Sequence, residues 1–157
     1  WAEKKCTKCH GQGTAKETKK IKINIPAGIN EGEAIRLTAE GEAGSRGAKP
    51  GDLYVRIHLM PDPLFIRHGV DIFSKKTINI AQAALGAKID VETLFDTVKL
   101  TIPEGTQTGE KFRLRGKGMP KLRGFGRGDQ IVEIIVKTPK NLSKKQKELL
   151  RELEEGL

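Results

Sequence analysis

The run CTKCHGQG, from Cys6 to Gly13, holds the only two cysteines of the chain, spaced C-x-x-C, with His10 beside the second. Two thiols so close together make a poor structural staple, which leaves metal or redox chemistry. A closed structural zinc site takes four nitrogen or sulfur ligands in a tetrahedron, so Cys6 and Cys9 make up half of one. A thioredoxin-like redox role wants a βαβ setting. The flanking glycines and the strand-rich sequence that follows argue against it. The other histidines, His58 and His68, lie far along the chain from His10, and none of the three has a neighbour that fits general acid or base work. No catalytic constellation emerges, and an enzyme is not expected.

The elements that must carry this motif belong to a chain of 157 residues, 36% hydrophobic and 31% charged, a balance typical of a folded globular protein. No apolar run approaches the roughly 20 residues a membrane span requires, and the charges of Trp1 to Lys5 precede no apolar signal core. The expectation is a cytoplasmic protein without a membrane partner. The net charge of +9 admits a basic nucleic-acid-binding β protein as the alternative function. Its basic residues, however, are dispersed among acids, and Trp1, Tyr54 and the phenylalanines form no stacking motif. No nucleic-acid partner is expected.

The chain repeats itself. IPAGINEGEAIRL, starting at Ile25, matches IPEGTQTGEKFRL, starting at Ile102, an offset of 77 (102 − 25). The register continues without a gap through Gly41 and Gly118, Gly51-Asp52 and Gly128-Asp129, Val55 and Val132, and Ile57 and Ile134. Two copies of one domain in tandem are implied. Ile21, Ile23 and Ile25 alternate with polar residues, as do Leu53, Val55, Ile57 and Leu59, which predicts half-buried strands. In copy two, Val98, Leu100 and Ile102, then Val132, Ile134 and Val136, predict the same. Glycine and proline at the intervening turns complete the picture of a mainly β protein, two homologous sandwich-like domains in tandem.

Two segments depart from period two. IAQAALG, from Ile80 to Gly86, predicts a short helix closed by glycine. The tail from Ser143 to Leu157 predicts an amphipathic helix with a serine N-cap and an apolar side of Leu149, Leu150 and Leu153. Within copy two, KIDVETLFDTVKL reads as a hairpin with Leu94 to Thr97 at its tip. Copy one has no such lead before Ile21. The cysteine motif enters where copy two makes that turn, as expected of an inserted metal module whose other cysteines lie upstream.

Together, C-x-x-C-H-G-x-G, IPAGINEGEAIRL, GDLYV, AALGAKIDV, IPEGTQTGEKFRLRGKGMP and NLSKKQKELLRELEE, in this order, resemble the DnaJ family of heat-shock co-chaperones, type I. The resemblance covers the chain from Cys6 onward. It implies a remnant of the cysteine-rich module at 1–14, the second half of a client-binding β domain at 15–63, a second β domain at 64–139, and a helix at 140–157 through which such proteins dimerise. It also implies binding of unfolded polypeptide for delivery to an ATP-driven chaperone of the DnaK type. The family's J domain and Gly/Phe linker have no counterpart in this sequence. In type I members four cysteine motifs hold two zinc ions, the last motif pairing with the first. Cys6 and Cys9 match the last and supply two of four ligands, so the full-length protein is expected to bind zinc and this chain by itself is not.

The family's client groove implies that Ile21 and Val55 line an apolar recess beside a sheet edge, with Ile23 and Ile57 as same-face neighbours. Alternating isoleucines are also the ordinary mark of a core. The groove's other wall comes from the lead half of the first domain, absent from this sequence, so the site is expected to be incomplete or completed by another molecule. The exposed edge that results could also pair with a second copy. Leu149, Leu150 and Leu153 either pack on their own domain or form a homodimer seam, and the seam is favoured because a helix at a chain end can keep its apolar face for a partner.

Overall fold

A computed structural model of the chain describes residues 16–44 and 48–157. They fall into two units, the first ending at Met60 and the second running from Pro61 to Leu157. The fold is mainly β, as the alternation of apolar residues predicts.

The first unit is built on an antiparallel hairpin of β1 (Ala34–Leu37) and β2 (Leu53–Arg56), with Ile35 opposite Val55 and Leu37 opposite Leu53. Its open end is closed by a bulge. The Gly32 N–H donates to the Ile57 carbonyl at 2.9 Å while the Ile57 N–H donates to the Glu33 carbonyl at 2.8 Å, so two residues face one. Gly32 takes φ 76°, a left-handed value that glycine adopts without a Cβ clash.

The second unit contains β3 (Phe65–His68), β4 (Asp71–Asn79), α1 (Ile80–Leu85), β5 (Ala87–Glu92), β6 (Thr97–Ile102), β7 (Lys111–Leu114), β8 (Gln130–Lys137) and α2 (Lys144–Glu155). Four strands form a sheet in the order β3-β4-β8-β7, with β4 and β8 parallel, and β5 and β6 form a separate hairpin. One apolar cluster joins them: Ile78 of β4, Ala83 of α1, Ile89 and Val91 of β5, Ile102 of β6, and Val132 and Ile134 of β8. Gln130 is fully buried, and its amide donates to the Ser74 hydroxyl on β4 and the Glu92 carbonyl on β5, both at 2.9 Å. Helix α1 starts at a capping box, Asn79 accepting from the Gln82 N–H and the Gln82 side chain accepting from the Asn79 N–H, and it ends at Gly86.

The internal repeat survives in atomic detail. Strands β7 and β8 pair with Lys111 opposite Glu133 and Leu114 opposite Gln130, the register of Ala34 with Arg56 and Leu37 with Leu53 displaced by 77. The Gly109 bulge against Ile134 matches that of Gly32 against Ile57. Asp52 accepts from the Ala39 N–H at 3.0 Å and from Arg36 Nε at 2.7 Å, while Asp129 accepts from the Gly116 N–H at 2.9 Å and from Arg113 at 3.4 Å. Even an ion pair recurs with its charges exchanged. Lys19 meets Glu40 at 2.7 Å where Asp96 meets Lys117 at 2.7 Å.

Three expectations require correction. The segment Ile21 to Ile25 forms no strand, although its counterpart β6 does. Strand geometry needs a ladder partner; β6 has β5, whereas no equivalent of β5 flanks Ile21 among the described residues. Strand β2 stops at Arg56 rather than Leu59, because the bulge at Ile57 ends regular pairing and Leu59 instead gives its N–H to the Glu31 carboxylate. His68 closes β3, packed edge-on at 4.9 Å against Phe73. The β5–β6 connection spans Thr93 to Asp96, tied by the Thr93 hydroxyl to the Asp96 carboxylate at 2.6 Å, and Thr97 already belongs to β6.

Candidate functional site

In β2 the bulge fixes which way the main chain faces. Ile57 gives its N–H and carbonyl to the β1 side. Hydrogen bonding alternates along an antiparallel strand, so Val55 and Leu53 turn the same way while the peptide groups of Tyr54 and Arg56 face outward. In the second unit the corresponding outward side of β8 is taken up by β4, with Ile131 opposite Phe73 and Glu133 opposite Lys75. The sheet of the first unit has two strands, and no described strand lies along the outer side of β2.

The side chains follow the same contrast. Val132 and Ile134 are 0% exposed. Their counterparts Val55 and Ile57 are half-buried, as are Ile21 and Ile23 from the segment that corresponds to β6. Ile25, at 59% exposure, occupies the position of Ile102, which is 1% exposed in the second unit. Among the described residues, then, a strand edge without a ladder partner and a row of half-buried aliphatic side chains coexist in one unit.

Charges hold the ends of this hairpin. At one end Arg36 and the Ala39 N–H converge on Asp52; the Ala39 N–H, then the guanidinium, holds its carboxyl below the usual aspartate range. At the other, Glu31 accepts from the Leu59 N–H and meets His58 Nδ1 at 2.9 Å; the Leu59 N–H, then His58, lowers its pKa. The sequence reading missed both roles, since neither acid has a partner nearby in sequence.

Cys6 and Cys9 lie outside the described residues. Among the described residues no cluster of three or more His, Cys, Asp or Glu side chains is arranged to hold a metal ion. Helix α2 starts at Ser143, whose hydroxyl accepts from the Gln146 N–H, and has no buried residue. Leu149, Leu150 and Leu153 are all exposed. A cleft of about 300 Å³ on the second unit, lined in part by Leu64, Ile66, His68 and Phe73, also went unread, because β3 is too short to show a period.

Comparison with known proteins fixes the kinship. The family model of the DnaJ C terminal domain matches residues 2–139. The chain belongs to this family. It is 50% identical over 155 residues, 99% of its length, to the Chaperone protein DnaJ of Parageobacillus thermoglucosidasius. It is 51% identical over 151 residues to that of Oceanobacillus iheyensis, and 50% identical over 151 residues to that of Rhizobium meliloti. The chain spans only 40–41% of the length of these DnaJ relatives. The hairpin of the first unit repeats the β7–β8 hairpin of the second. Among the described residues no helix is long and apolar enough to cross a membrane.

Proposed function

We propose that the chain is the polypeptide-binding part of a co-chaperone, and that its first unit captures non-native chains by strand addition. An extended client would pair with the outward peptide groups of Tyr54 and Arg56. It would lay an apolar side chain against Ile21, Ile23, Val55 and Ile57. Main-chain hydrogen bonds are indifferent to sequence and the apolar row asks only for an aliphatic or aromatic residue, a combination suited to many clients. Covering one such side chain is worth roughly 1.5 to 3 kcal/mol before ordering costs, which gives weak and reversible capture.

The observation that carries this reading is the pairing of equivalents. Val132 lies between β7 and β4, while Val55, in the same register against β1, has no described strand along its other flank. Family membership supports the rest: delivery of the client to a DnaK-type ATP-driven chaperone, with no chemistry performed on it, in the cytoplasm. The donor set of Cys6 and Cys9 suits two of the four thiolate positions of a zinc site that the longer protein would complete. The leucine row of α2 would meet its copy in a homodimer.

The test is suppression of aggregation of an unfolded substrate without ATP. Val55→Asp is expected to abolish it with the fold intact. Full suppression by a folded Val55→Asp variant would refute the assignment.

A further inference from the structure

The loop from Lys117 to Arg127 offers a second surface, distinct in chemistry from the β2 edge. Between Arg115 and Arg127 the sequence carries Arg115, Lys117, Lys121, Arg123 and Arg127 and no acidic residue. At its tip Phe125 is 99% exposed, with Gly124 at φ 101° and Gly126 at φ 89° on either side. Side chains of this size normally find cover, and this one touches almost nothing of its own chain.

The base of the loop is pinned. Gly118 N–H donates to the Gly128 carbonyl at 2.9 Å, Gly128 N–H to the Met119 carbonyl at 2.9 Å, and Lys121 N–H to the Gly126 carbonyl at 3.1 Å. Lys117 meets Asp96 at 2.7 Å, and the Arg127 guanidinium lies 3.8 Å from the centre of the Phe95 ring. The stem is therefore braced against the β5–β6 connection, and the ring at its tip stands in solvent.

The repeat shows that the fold does not ask for this tip. The equivalent loop of the first unit closes with the same Gly41 N–H to Gly51 carbonyl bond at 2.8 Å. Yet it places Ala48 where Phe125 stands, Glu42 at the position of Met119 and Glu40 at that of Lys117.

We infer that this loop is a docking tip for an anionic lipid bilayer surface, Phe125 entering the headgroup boundary while Lys121 and Arg123 face the phosphates. A fluid interface accepts a lone protruding ring flanked by cations, because it needs no matching groove. Single-stranded nucleic acid fits less well: it stacks on successive aromatic faces, and the nearest other ring, Phe95, has Arg127 over one face. Each cation near such a surface is worth about fivefold in partition, and the ring about tenfold more.

The test uses vesicles of equal parts phosphatidylglycerol and phosphatidylcholine, with phosphatidylcholine alone as control. In flotation the protein is expected to bind the anionic vesicles only, and Phe125→Ala to lower partition about tenfold with an unchanged circular dichroism spectrum. Since a basic protein can adhere through charge alone, depth is read separately. In a Trp1→Phe background, Phe125→Trp is expected to be quenched by brominated lipid, and Ala48→Trp not. Equal quenching of the two probes, quenching of neither, or a Phe125-dependent affinity for oligouridine in place of vesicles would overturn the proposal.

Discussion

Val55 and Val132 occupy one position of a duplicated strand: each lies opposite an apolar residue of its hairpin partner, Ile35 and Phe112, but among the described residues only Val132 is flanked on its other side by a parallel strand. The same local sequence logic therefore yields a core residue in one unit and a half-covered one in the other.

Aspartate at the two positions should separate these roles. Val132→Asp buries a charge in a fully enclosed site and is expected to cost about 4 kcal/mol or more, unfolding the second unit. Val55→Asp is expected to change stability by about 1 kcal/mol or less. Urea unfolding of both variants checks the contrast.

Ala39 and Gly116 hold equivalent left-handed positions, φ 60° and 69°, each giving its N–H to the aspartate just before the next strand. A Cβ in that conformation costs roughly 1 kcal/mol. Ala39→Gly is expected to stabilise the first unit by up to about 1 kcal/mol, and Gly116→Ala to destabilise the second by a similar amount, since a Cβ there meets nothing within 4 Å and only the dihedral is strained. Thermal melts of the two variants read this directly.

Acid should weaken the first unit through Asp52 and Glu31, whose pKa values are held down by the Ala39 and Leu59 N–H groups first and by Arg36 and His58 second. A depressed carboxyl stabilises the fold above its unfolded pKa, about 4, and loses that contribution as pH falls through its lower folded value. Stability from these groups is thus expected to be level from pH 7 to about 5 and to fall below about 4. Asp52→Asn should flatten part of that acid limb, and salt should shrink the effect because Glu31 is exposed and Asp52 is only half-buried beside an exposed Arg36. The measurement is the urea midpoint as a function of pH.

The exposed leucine row of α2 predicts concentration-dependent mass. Leu149→Glu with Leu153→Glu is expected to yield monomer in light scattering with the helix retained, since neither side chain is buried in its own chain. A strictly monomeric parent protein would contradict the seam.

Much of this architecture was legible because local pattern and final environment agree. Val98 to Ile102 and Val132 to Val136 alternate and become strands of the core; Gly86 closes one helix and Ser143 opens the other, as their types predict. The failures have a common cause. Alternation in Ile21 to Ile25 says which side of a strand would be apolar, but not whether a partner exists to make it one. Strand β4 was unread because Lys75 and Lys76 interrupt its period, and its parallel pairing with β8 joins residues some 58 positions apart, such as Ile72 and Gln130. Of the candidate site, Ile21, Ile23, Val55 and Ile57 were named from the family resemblance, whereas the outward peptide groups of Tyr54 and Arg56 became visible only against the covered edge of β8.

The central claim is tested most directly by photocrosslinking with an extended apolar peptide carrying a photoreactive side chain, followed by mapping of the labelled residues. Capture along β2 predicts labels between Ile21 and Leu59, concentrated near Val55 and Tyr54 and lost on competition with an unfolded protein. Labels confined to Leu64, Ile66 and Phe73, or scattered without competition, would contradict it.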